Sequence, residues 1–172
     1  MNRMPSGAEV VALFEAVLRD GAPVPASRVH ALLVELHENN LDQWQREDAT
    51  RVAGADDASV AAAKRDIDKL NATRHRLVEA IDAALAAAID QRASATPTTE
   101  SPAMVYDRLS VLSIRIHATE NAPAYADRLP VLRGQLGIVQ EALDGMLDDV
   151  RVGRKRFVPY QSLKLYGSHQ SR

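Results

Sequence analysis

Apolar residues recur at helical spacing along almost the whole chain. Val10, Leu13, Phe14 and Val17 share one face of a first helix, opened by Ser6-Gly-Ala-Glu9 with the spacing of a capping box and stopped at Gly21. Pro23 and Pro25 separate it from a long second helix, for which Ser27 is the expected N-cap and Gly54 the expected end. A third helix, capped by Asp56 or Asp57 and running from about Ala58 to Arg92, carries a seam at Ala63, Ile67, Leu70, Arg74, Leu77, Ile81, Ala84 and Ala88. Those alternating steps of four and three are the signature of coiled-coil-like packing. Residues 93–100, ASATPTTE, have no apolar period and read as a surface connection. Ser101-Pro102 restarts a helix as N-cap and first-turn proline, and Val105, Leu109, Val111, Leu112, Ile114 and Ile116 make it apolar on most of its circumference, as a central helix should be. Leu129, Leu132, Leu136, Val139, Leu143, Met146 and Val150 keep the seam spacing in a fifth helix that Gly153 ends, with its start left open by Pro123 and Pro130. No stretch before the tail reads as a β-strand. The pattern predicts one all-α domain: an antiparallel bundle of four main helices plus a shorter or peripheral N-terminal one.

One helix changes character along its length. The buried stripe of the second helix, Val29, Leu32, Leu33 and Leu36, continues at the same spacing as Asn40, Trp44, Glu47 and Arg51, with Asp48 adjacent. Either the helix leaves the core there, with Glu47 and Arg51 paired on a solvated face, or these residues line a polar pocket inside the bundle. The facing set would be Lys64, Asp68, Asn71 and Arg74 on the third helix. A buried Arg74 requires a carboxylate partner, because an unpaired charge in the interior costs several kcal/mol. Asp107, Arg108, Ser110 and Arg115, set among apolar residues on the fourth helix, supply a third arm or a structural ion pair.

Composition narrows the classes. With 172 residues and 46% hydrophobic content the chain can bury one core, and no run of about 18 apolar residues is present to span a bilayer. No secretory signal is evident and the default expectation is a cytoplasmic protein. Cysteine is absent, which removes disulfides and thiolate chemistry. The net charge of −2 hides an asymmetry, because the segment from Arg151 onward holds six Lys or Arg and no acid. Phe157, Tyr160 and Tyr166 in that basic tail argue for a segment folded back on the bundle, its cations complementing the acidic body and the end of the fifth helix, and nucleic acid is disfavoured as a partner.

Four ordered motifs carry a family resemblance: LHENN..QW.REDATR, KRDIDKLNATRHRLVEAID, ESP...YDRLSVLSIRI and FVPYQSLKLYG. Together, over roughly Leu36 to Gly167, they resemble the bacterial domain of unknown function 4254 family. The resemblance implies a small helical protein whose characteristic positions are Trp44, Glu47, Asp48 and Arg51, then Lys64, Arg65, Asp68, Asn71 and Arg74, then Asp107, Arg108 and Ser110. Ala72, His75 and Arg76 depart from it, standing where the family tends to have Gln, Asn and Asp. The family's name assigns no activity, and its frequent association with glycan or glycosyltransferase gene neighbourhoods is a hint by association alone.

A carboxylate-bridged di-iron bundle needs Glu-x-x-His pairs, and none of the five histidines has an acid three residues before it. Glu35-x-x-Glu38 and Glu79-x-x-Asp82 match the letters of a helical nucleotide pyrophosphohydrolase, but their separation is longer than that arrangement uses. No Gly-rich phosphate loop or nucleophile elbow is present, and no cofactor or metal is specified. The leading expectation is a small enzyme or ligand-binding domain with an intrabundle pocket for a hydroxylated or phosphorylated sugar- or nucleotide-like compound. Glu47, Asp48 and Asp68 would act as catalytic or hydroxyl-binding carboxylates, with Trp44, Arg51, Lys64, Asn71, Arg74, Asp107 and Arg108 as ligand-binding groups. The alternative is a noncatalytic accessory or scaffold protein whose charges fix helix register. Self-association is compatible with either.

Overall fold

In a computed structural model, which describes residues 4–50 and 57–162 and the side chains of the third helix from residue 61, the chain is an all-α bundle. Its elements are α1 (Gly7–Asp20), α2 (Arg28–Thr50), α3 (Asp57–Ala88), α4 (Pro102–Glu120) and α5 (Leu129–Arg151), with a 3₁₀ helix at Pro123–Arg128. Gly54, Asp56, Arg51 and Tyr166 lie outside the described residues.

The capping box forms at the start of α1. Ser6 Oγ accepts from the Glu9 N–H (3.3 Å) while Glu9 Oε2 accepts from the Ser6 N–H (2.8 Å). Ser27 Oγ accepts from the His30 N–H (3.2 Å) at the start of α2, and Ser101 Oγ caps Met104 N at the start of α4. Pro130 falls in the first turn of α5, where its missing N–H costs no helical bond. Gly153 sits at φ +75° just past that helix, a conformation that favours glycine.

The core gathers Val10 and Phe14 of α1, Leu33 and Leu36 of α2, Val78, Ile81 and Leu85 of α3, Tyr106 and Leu109 of α4, and Leu143 and Leu147 of α5. Helix α4 packs against all four others, as its apolar circumference requires. Helix α1 is short but not peripheral, because Val10 and Phe14 are fully buried and it contacts α2, α4 and α5. Its approach to α5 is close at Gly7, where an added Cβ would lie 2.9 Å from Gln140 Cα, while the Gly7 N–H donates to Asp144 Oδ1 (2.7 Å). Gly7→Ala should therefore cost about 1–3 kcal/mol through overpacking against backbone, read as a lower urea midpoint at unchanged slope.

Two features depart from the sequence pattern. Helix α3 ends at Ala88, short of Arg92, and Gln91 beyond it accepts from the Phe157 N–H (2.7 Å). The connection after it contains a two-residue strand, β1 (Thr96–Pro97), pairing in parallel with β2 (Lys155–Arg156). A two-residue ladder has too few positions to show a period. Beyond β2, Phe157 is buried in the core and Tyr160 packs against it, so the described part of the tail folds back on the bundle. Its cations meet the acidic end of α5: Lys155 Nζ lies 2.9 Å and Arg154 Nη2 2.6 Å from Asp149, and these bonds hold that carboxyl below its usual range.

Candidate functional site

A chain of polar side chains crosses the interface of α2, α3 and α4. The Arg74 guanidinium grips Asp107 from α3, its Nε donating to both carboxylate oxygens at 2.9 Å and its Nη2 donating to Oδ2. Asn40 of α2 donates through Nδ2 to Asp107 Oδ1 (2.9 Å) and to Ser110 Oγ (3.0 Å). Because an ionised carboxylate only accepts, the Asn40 amide orientation is fixed, and Ser110 Oγ, which accepts from Asn40, also lies within hydrogen-bond distance of His37 Nδ1 (2.9 Å).

Burial sets the protonation of this chain. His37 is fully buried, stacked on Phe14 with centroids 4.4 Å apart, and desolvation lowers its pKa to about 4. It is neutral at pH 7. His37 Nε2 and Asn40 Oδ1 are buried and have no hydrogen-bond partner among the described residues.

A second node ties the tail to the bundle. Asp82, fully buried on α3, accepts from the Ala103 N–H (3.0 Å) at the start of α4 and from the Tyr160 N–H (2.9 Å). Burial pushes its pKa up, against the bonds from Ser101, Tyr160 and Ala103 that pull it down. Glu79 accepts from the Ser162 N–H (2.6 Å), and Tyr160 OH lies 2.9 Å from His75 Nδ1 with the rings stacked. Glu79 and Asp82 are thus engaged in backbone bonds, while Glu35 and Glu38 of α2 are exposed. Among the described residues no group of three or more His, Asp or Glu is placed to hold a metal ion, and no helix is long and apolar enough to cross a membrane.

Between these nodes lies a cavity of about 290 Å³ lined by Arg74, His75, Glu100, Asp107, Arg108 and Tyr160, with Val78 and Met104 beneath. Arg108 Nη1 donates to Glu100 Oε2 (2.9 Å) at its rim. Two cations, two acids and an aromatic ring therefore converge on one small volume with a polar lining.

The sequence-derived residues divide among several places. Arg74, Asp107 and Arg108 come together at this cavity. Trp44 and Asp48 instead line a larger one of about 840 Å³ with Arg115, Tyr125, Arg128 and Leu132. Half-buried Glu47 accepts from Gln43 Nε2 (3.0 Å) on its own helix. Lys64 and Asp68 are exposed and Asn71 is half-buried, and none of the three joins the hydrogen bonds of Asp107. Arg51 falls outside the described residues. The partner of Arg74 comes from α4 and not from the acids of α2, whose helix reaches α3 through Asn39 Nδ2 to Leu70 O (3.1 Å) and the Arg46–Asp66 pair (3.5 Å).

The sequence pattern does not mark Asp82 as a buried node or Tyr160 as a cavity wall. The available signals were an acid between Ile81 and Leu85 in an apolar seam and the aromatics of the tail. All the polar residues of the Asn40 chain and the lining of the small cavity apart from Tyr160 fall within residues 30–158. Neither a curated protein nor a solved structure matches the chain. Over those residues, three quarters of its length, the chain matches and belongs to the family described as "Protein of unknown function (DUF4254)".

Proposed function

We propose that this protein binds a small anionic, hydroxylated compound, a phosphorylated sugar or nucleotide-like molecule, in the cavity between α3, α4 and the segment after β2. The carrying observation is Arg74: Asp107 fixes its guanidinium bidentately while the same residue lines an open cavity with Arg108. A guanidinium held in place from behind loses little further freedom on meeting a phosphate, which favours binding. Glu100 offers acceptors to hydroxyls at the rim, and the Tyr160 ring offers an apolar face to a sugar or base.

Binding is favoured over catalysis by the state of the acids. Asp107 already accepts from Arg74 and Asn40, and Glu47, Asp48 and Asp68 do not line this cavity. The saturation of Asp107 also supports the second reading, a scaffold in which the pair fixes helix register. Calorimetric titration separates the two, using glucose 6-phosphate and adenosine monophosphate against the unphosphorylated sugar and nucleoside. A phosphorylated compound should bind, and Arg108→Gln should weaken it about tenfold while changing stability by under about 0.5 kcal/mol, since Arg108 is exposed. Absence of binding at millimolar concentration, with intact folding, would leave the scaffold reading.

A further inference from the structure

Arg74 and Arg108 line a second cavity as well, of about 470 Å³, in the groove between α4 and α5. Its floor is apolar: Val111 and Leu112 from α4, Ile138 and Val139 from α5. Arg115, two turns beyond Arg108 on α4, completes the basic lining, and no acidic side chain lines the groove. The three arginines are unequal. Arg74 is paired with Asp107 and Arg108 with Glu100, whereas Arg115 has no carboxylate partner among the described residues.

The floor is also unusual for a surface. Ile138 is 68% exposed and points from a helix whose neighbouring Gly134 has open space where a Cβ would stand. Helix-interior glycine is disfavoured relative to alanine, and nothing among the described residues stands within 4 Å of where its Cβ would lie. A compact phosphate compound would leave the apolar floor uncovered, and a neutral hydrocarbon would leave Arg115 without a counter-charge. Both are met by one molecule with a charged head and an aliphatic chain.

We infer that the ligand is an anionic amphiphile, a phosphate ester whose head lies among the arginines that line the α4–α5 groove, Arg74, Arg108 and the unpaired Arg115, and whose chain lies along Val111, Leu112, Ile138 and Val139 on its floor. This rests on the preceding reading of the Arg74–Arg108 cavity as a phosphate-binding one. Charge complementarity selects the head, and the shared arginines make head and chain sites contiguous.

Titration of the full chain with inorganic phosphate and with butyl, octyl and dodecyl phosphate, each below its micelle concentration, tests the inference. Affinity should rise about two- to fourfold per added methylene until the groove is filled. Ile138→Gln, at an exposed position, should flatten the dependence on chain length without adding a charge beside the arginines, and Arg108→Gln should weaken every phosphate, the inorganic ion included. Affinity independent of chain length would overturn the amphiphile and leave the phosphate site standing. No binding of any phosphate would overturn both. Equal binding of octyltrimethylammonium, or an unchanged chain-length series in Ile138→Gln, would reduce the groove to a nonspecific apolar surface and overturn the inference. Adsorption to phosphatidic acid vesicles without binding of monomeric dodecyl phosphate would overturn it in favour of a membrane surface.

Discussion

Asp107→Ala should destabilise the protein by about 3 kcal/mol, more than any other single substitution considered for the polar chain. The loss leaves the Arg74 guanidinium and the Asn40 amide at a helix interface without the carboxylate that both address. Partial exposure of Arg74 keeps the value at the low end of the range for broken buried pairs, since water reaches one side of the guanidinium. For a chain of this length that corresponds to a fall of roughly 6–12 °C in melting temperature. Arg74→Met in the same background should recover much of it, because the uncompensated charge is then gone. A double-mutant cycle by urea denaturation gives the coupling directly. Additive single losses would mean that Arg74 and Asp107 are neighbours without being energetically linked.

Acid should weaken the fold well before carboxylate titration is complete. The His37 pKa is lowered to about 4 by burial, against 6.5 for the free side chain. Between those values the unfolded chain binds a proton that the folded chain refuses, so stability is fully present above about pH 6.5 and falls as pH drops toward 4. The integrated loss is about 3 kcal/mol. Asp82 acts in the opposite sense. Its raised folded pKa means that the native state holds a proton more readily than the unfolded one, so its contribution improves as pH falls into the acid range. His37→Leu separates them: unfolding free energies measured from pH 7 to 4 should lose the downward slope. The Asn40–Ser110 bond remains in that variant, because it does not pass through the imidazole. An unchanged slope would assign the acid sensitivity to groups other than His37.

The helices were legible because each carries several redundant marks. Ser6 and Glu9, Ser27, and Ser101 with Pro102 announce starts that local hydrogen bonds then make, and a seam repeated over many turns identifies a buried face without knowledge of what covers it. The requirement that Arg74 have a carboxylate followed from its seam position. Which carboxylate it has did not follow, since that depends on the rotation of α4 relative to α3. The polar stripe of α2 shows the same limit. Asn40 is buried, as are His37 and Asn39 beside it, while Asp48 about two turns beyond Asn40 is exposed, and periodicity alone does not mark where the neighbouring helices stop covering a face. Asp82 was less legible still. Its partners are the backbone N–H groups of Ala103 and Tyr160, and backbone groups carry no residue-specific signature.

The pairing of β1 with β2 and the seating of Tyr160 have a consequence for the order of assembly. The α3 and α4 walls of the small cavity lie early in the chain, but Tyr160 follows α5, and the bonds that seat it reach back to Asp82 and His75. During synthesis from the N-terminus, Arg74 and Asp107 emerge and can pair before the residue that covers them exists. The nascent protein therefore passes through a stage with its helices made and the small cavity missing a wall, and that cavity is complete only after translation has moved past the tyrosine.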